Sequence, residues 1–90
     1  MAKFTIKEVE DYLTSRLGGI SVIDINIEYP DKQQAFHVEG ENEYFLFEEQ
    51  DNSYHLFDGA KKEKLSGTDV EDFLSHCVHI IANEEDTTTL

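Results

Sequence analysis

The chain has 90 residues, of which 7 are Lys or Arg and 20 are Asp or Glu, so its formal net charge is −13. This length allows one domain with a modest core and excludes a large cofactor cradle. Hydrophobic residues make up 39% of the chain, which is enough for a packed core. No stretch approaches the roughly 18 apolar residues of a membrane span, and the first residues lack the apolar segment of a signal peptide. A single cysteine, Cys77, cannot form an internal disulfide, so we expect a reducing, cytoplasmic setting.

The first predicted element is a helix over residues 6–17. Thr5 and Glu8 form a capping box, in which each side chain bonds the other residue's amide. An apolar stripe at helical spacing follows, and Gly18-Gly19 ends it because glycine takes the left-handed conformation at a helix C-terminus without strain.

The next segment alternates apolar and polar residues, which is typical of a strand with one buried face. The alternation places Ile23, Ile25 and Ile27 toward the core. Tyr29-Pro30-Asp31-Lys32 then predicts a turn, because proline fixes its second position. Short turns separate the strands that follow, so the sequence predicts an antiparallel meander. These strands are expected at residues 33–39, 43–49 and 53–58, with a fifth at 60–65.

The last predicted element is a helix that starts at a second capping box, Thr68 with Glu71. It carries a broad apolar stripe at helical spacing: Val70, Phe73, Leu74, Cys77, Val78, Ile80 and Ile81. Residues 84–90 carry three acids and no core-forming pattern, so we expect a disordered acidic tail after a single domain over 1–83.

These elements define an α+β fold: a helix, a four- or five-stranded antiparallel meander and a second helix. Each helix has one apolar stripe, so the economical packing puts both helices on one face of the sheet. The predicted core joins Ile23, Ile25, Ile27, Phe36, Val38, Val70, Phe73, Leu74, Cys77 and Ile81. The opposite face is expected to be open and polar, with Asp24, Asn26, Glu28, His37 and Glu39.

The sequence offers little support for catalysis. Cys77 lies in the middle of an apolar stripe, where a thiol behaves as a small hydrophobic group, while His79 points away from that stripe and His76 lies at its edge. One cysteine does not make a structural zinc site, and no Gly-rich phosphate-binding motif occurs. We therefore expect a protein that is not an enzyme and has no metal or cofactor.

The charge is concentrated in the sheet region. Residues 24–58 hold ten acidic residues against Lys32 alone, a net charge of −9. Such a field repels nucleic acid and anionic membranes and attracts basic surfaces. Aromatic residues are abundant in the same region, but the cations that accompany base stacking are missing, so direct nucleic-acid binding is not expected.

The sequence therefore favours an acidic, non-enzymatic protein-interaction module. An inhibitor is the narrower form of this interpretation. Its partner would be a basic protein, for example a nucleic-acid-binding enzyme whose nucleic acid it mimics. In size and charge alone it resembles phage-encoded inhibitors that occupy DNA-binding clefts and small acidic immunity proteins. The predicted partner-binding residues combine carboxylates that steer the encounter with tyrosines that anchor it: Asp24, Glu28, Glu39, Glu41, Glu43, Tyr44, Glu48, Glu49 and Tyr54.

A second interpretation stays open. The chain is then a generic cytoplasmic domain whose acidity only maintains solubility. In that case strand 43–49, which is apolar on both faces, is buried by a second copy in a homodimer.

Overall fold

The computed structural model describes residues 5–40 and 42–86, with side chains to Asn83. Five antiparallel strands lie side by side in sequence order, between two helices in the chain. The fold class is confirmed, and the fifth strand is present. The elements are α1 (Ile6–Arg16), β1 (Ser21–Asp24), a 3-10 turn (Asn26–Glu28), β2 (Gln34–Glu39), β3 (Glu43–Glu48), β4 (Tyr54–Asp58), β5 (Glu63–Gly67) and α2 (Val70–Asp86).

Helix α1 begins at the predicted capping box. The Thr5 amide donates to Glu8 Oε1 at 2.9 Å, and the Glu8 amide donates to Thr5 Oγ1 at 3.2 Å. Two amides at the helix N-terminus that have no partner within the helix are thereby satisfied. The helix buries Val9 and Leu13 completely against the sheet.

Helix α2 begins one residue later than its predicted capping box implies. The Asp72 amide donates to the Asp69 carboxylate at 3.0 Å, so Asp69, not Thr68, is the N-cap. The helix runs to Asp86, three residues into the segment predicted as a tail, and residues 87–90 lie outside the described part of the chain.

Both helices pack on one face of the sheet, as the apolar stripes predict. From α2, Phe73, Leu74, Cys77 and Ile81 are buried in the main core together with Val9 and Leu13 of α1. The strands contribute the alternate residues that face the helices: Val22, Phe36, Val38, Tyr44, Leu46, Tyr54 and Leu56.

Strand β1 corrects the predicted core. Val22 lies opposite Val38 and faces the helices, whereas Ile23 lies opposite His37 on the other face and is 47% exposed. Ile27 is 90% exposed. The strand ends at Asp24, because its carboxylate accepts the Asn26 amide at 2.8 Å and the chain enters the 3-10 turn. The alternation of isoleucines therefore does not describe one continuous strand.

Candidate functional site: the open face of the sheet

The face opposite the helices, here called the open face, has an apolar centre instead of the predicted polar surface. Ile25, Ala35 and Phe47 are buried there, and three half-buried aromatic residues pack against them. We call the ring-bearing residues of this group the aromatic cluster: Tyr29, Phe45, Phe47 and Phe57.

The register of the strands builds this cluster. Phe45 and Phe47 alternate along β3 and so share a face, and Phe57 of β4 lies directly opposite Phe45. The Phe47 ring is central: its centroid lies 4.9 Å from Tyr29, 5.6 Å from Phe57 and 6.4 Å from Phe45. These separations fall within or near the range in which aromatic pairs attract each other.

Two lysines place their ammonium groups over the cluster. Lys32 Nζ lies 5.4 Å from the Phe47 ring centroid, and Lys61 Nζ lies 4.6 Å from that of Phe45. Lys32 also donates to Glu49 at 2.8 Å, and this hydrogen bond raises the pKa of Lys32. The geometry is that of cation–π contacts, so these rings accept cations from their own chain.

Carboxylates border the cluster at the end where β2 turns into β3. Glu39 lies directly opposite Glu43 in the sheet, and both are exposed. Like charges in this position repel each other. His37 contacts Glu43 at 3.1 Å and stacks on Phe45 with 5.0 Å between ring centroids. A cation bound between the two glutamates would relieve their repulsion.

The predicted open-face residues divide between three places. His37 and Glu39 do lie on the open face. Asp24 shares the helix side of the sheet with Phe36, its partner in the register. Asn26 and Glu28 belong to the 3-10 turn. The turn after Asp24 separates these residues, which a continuous strand would have aligned.

Three of the predicted partner-binding residues are buried. Tyr44 and Tyr54 belong to the main core, and Glu48 is 0% exposed. They face the helices because Tyr44 pairs with Val38, and Glu48 follows four residues later on the same face. Their assignment to a partner surface is therefore corrected. Of the others, Asp24, Glu28, Glu39 and Glu43 are exposed, Glu49 is half-buried beside Lys32, and Glu41 lies outside the described residues.

The buried carboxylate of Glu48 has few partners. Gln34 Nε2 donates to Glu48 Oε1 at 3.1 Å, and the Tyr54 hydroxyl also bonds this carboxylate. Glu48 Oε2 is buried without a hydrogen-bond partner among the described residues. Burial, followed by the charge of Glu48, raises the pKa of Tyr54.

A cluster that sequence reasoning missed lies at the β4–β5 side of the open face. Ser53 Oγ is 3.1 Å from His55 Nε2, and His55 Nδ1 is 2.6 Å from Glu63 Oε2, so the residue types match a nucleophile, a base and an orienting acid. The single hydroxyl proton of Ser53 has a closer acceptor, however, in Asp51 Oδ1 at 2.6 Å. That hydrogen bond is the main cause that lowers the pKa of Asp51. Because Ser53 donates its hydroxyl proton to Asp51, His55 does not accept that proton and does not activate Ser53 as a nucleophile. The contact of His55 with Glu63 instead links β4 to β5.

Cys77 and its neighbouring histidines do not form a reactive group. Cys77 is buried in the main core, and burial raises the pKa of its thiol. His76 and His79 are exposed, and His76 Nδ1 bonds the Asp72 carbonyl at 2.8 Å. Among the side chains that the structure describes, in residues 5–40 and 42–83, no group of three His, Cys, Asp or Glu residues is placed to bind a metal ion.

Comparison of the chain with protein-family models, with curated proteins and with solved structures finds no match. No helix in the described part of the chain has the length and apolar character needed to cross a membrane. The geometry of the open face is therefore the basis for assigning a function.

Proposed function

We propose that this protein is an acidic, non-enzymatic interaction module that binds a basic protein through the open face of its sheet. The observation that carries the proposal is the aromatic cluster, which lies on the sheet face opposite α1 and α2 and is bordered by carboxylates. Protein interfaces combine an aromatic centre with a polar rim, and aromatic residues dominate their binding energy. The single cysteine favours a cytoplasmic setting.

The chemistry of the face favours a partner rich in Arg and Lys. Phe45 and Phe47 already contact ammonium groups of this chain, and a partner's guanidinium would make the same contact with Phe57. Exposed Glu39 and Glu43 would pair with further cations. The net charge of −13 would speed the encounter with any basic surface.

A narrower form of this proposal is inhibition by nucleic-acid mimicry. A basic partner that normally binds phosphates would meet the exposed carboxylates of Glu39 and Glu43, which lie opposite each other on neighbouring strands of the open face. Nucleic acid and this protein would then compete for one surface.

The homodimer interpretation draws on the apolar character of both faces of β3. Phe47, however, is already buried within its own chain by the aromatic cluster. Face-to-face contact between two copies would also bring together their acidic rims, formed by Glu39 and Glu43. Each chain carries a net charge of −13, so the two copies would repel each other. Charge therefore favours a basic partner over a second copy.

The test is affinity capture from lysate with the wild type and two charge-matched variants. The first variant, Glu39→Lys with Glu43→Lys, reverses the rim of the open face. The second, Asp11→Lys with Glu71→Lys, reverses the charge of two exposed acidic residues on the helices. It changes the net charge of the chain by the same amount as the first variant.

We expect the wild type and the helix variant to capture the same basic protein, and the rim variant to lose it. Capture should weaken steeply with added salt, because ions screen exposed charges. Equal capture by both variants would contradict the proposal. If DNA and RNA do not compete with this protein for the partner, only the mimicry form of the proposal is rejected.

A further inference from the structure

Strand β1 lies at one edge of the sheet and has unpaired backbone groups. The Ile25 amide donates to the Ala35 carbonyl at 2.9 Å, and Ile23 lies opposite His37. In an antiparallel pair, alternate residues bond the neighbouring strand, so Ile23 and Ile25 bond inward while Val22 and Asp24 direct their N–H and C=O groups outward. Among the described residues, these outward groups have no hydrogen-bond partner.

The two edges of the sheet differ in how they are protected. The β5 edge carries Lys64 and follows Lys62, and the β4–β5 ladder is interrupted by an irregularity at Leu56/Phe57. Lysines and bulges are the usual devices that prevent an edge from pairing with another chain. The β1 edge has no lysine and no proline, and two exposed large apolar residues, Ile23 and Ile27, lie on it or just beyond it.

The charge beside β1 indicates what would pair there. Asp24 and Glu28 are exposed next to this edge. A second copy of the chain would bring a further net charge of −13 and a second Asp24 to this edge, so the two copies would repel each other. An extended segment with basic residues meets the edge with complementary charge instead.

We propose that β1 pairs, through the outward groups of Val22 and Asp24, with an extended segment in which apolar and basic residues alternate. The apolar residue lies on the open face beside Ile23, and the basic residues lie on the helix side, near Asp24. The proposal rests on the proposed function for the basic character of the partner, but it uses the backbone groups at the β1 edge instead of the aromatic cluster and its glutamates.

The test uses two synthetic hexapeptides of identical composition and the full chain labelled with ¹⁵N. One peptide alternates Lys and Val, and the other has three Lys followed by three Val. Hydrogen exchange is measured at the amides of Val22 and Asp24. If exchange occurs only from the free protein, a concentration of nine times Kd slows it about tenfold.

We expect this slowing with the alternating peptide and not with the block peptide, whose charge is the same but whose pattern does not fit a strand. Ile23→Lys should abolish the slowing, because it adds a charge to the edge. Ser66→Lys, the matched change at an exposed position of β5, should leave it intact. Thermal melting of both variants confirms that they are folded.

Absence of slowing, or equal slowing by the two peptides, would overturn the pairing at β1. Protection of these amides without peptide, together with dimers in sedimentation, would also overturn it by making a second copy the occupant. None of these three results bears on capture through Glu39 and Glu43, so failure of this inference is distinct from failure of the proposed function.

Discussion

The placement of residues in and after β1, toward the helices or toward solvent, can be tested with three alanine substitutions. The structure buries Val22 against the helices and leaves Ile27 90% exposed, whereas the isoleucine alternation implies the reverse. Val22→Ala removes the equivalent of two methylene groups, which at about 0.8 kcal/mol each costs about 1.6 kcal/mol before any cavity forms. Incomplete collapse of the cavity raises this cost to about 2 kcal/mol or more.

Ile27→Ala removes a larger side chain but should change the free energy of unfolding by less than about 0.5 kcal/mol, since solvent already surrounds it. Ile23→Ala should fall between the two. Urea unfolding measures all three, and an unchanged m-value shows that the comparison reports stability alone. A larger loss for Ile27→Ala than for Val22→Ala would refute the placement of β1.

Three further predictions concern the core. Phe73→Ala should cost about 3–5 kcal/mol, because the ring is buried and stacks on Tyr54; a melting curve like that of the wild type would contradict the helix packing. The Cys77 thiol should react slowly with a thiol reagent until the protein unfolds, since burial raises its pKa, and rapid labelling of the native protein would show the opposite. Burial also raises the pKa of Tyr54, so its contribution to stability is complete below about pH 10 and lost as the pH rises through the folded-state pKa. Tyr54→Phe should therefore reduce the loss of stability measured between pH 9 and 11, and an unchanged loss would contradict this assignment.

The helices and the order of strands could be predicted because local rules determine them. The capping box at Thr5 and the stripe through Phe73 and Cys77 each depend on residues within a few positions of one another. The predicted start of α2 differs from the observed one by one residue because Thr68 and Asp69 are both good caps, and only the geometry selects Asp69.

The open face could not be predicted in the same way. Strand β3 is apolar on both sides, so its alternation does not tell whether Tyr44 or Phe45 faces the helices. Pairing with β2 decides this, since Val38 faces the helices and lies opposite Tyr44. The tyrosines predicted as partner anchors were for this reason assigned to the wrong face, and the phenylalanines of the aromatic cluster were missed.

The contacts of Ser53 and His55 depend on distances that a sequence does not contain. Ser53 lies just before β4, two residues from His55, but Glu63 reaches His55 only through the pairing of β4 with β5.

Binding of the partner to the open face is tested most directly by hydroxyl-radical footprinting of this protein alone and in complex with its captured partner. Tyr29 and Phe57 report on the open face, and Tyr12, half-buried on α1, reports on the helix side. We expect the partner to slow oxidation of Tyr29 and Phe57 severalfold and to leave oxidation of Tyr12 unchanged. Protection of Tyr12 with unchanged oxidation of Tyr29 and Phe57 would contradict the claim that the open face binds the partner.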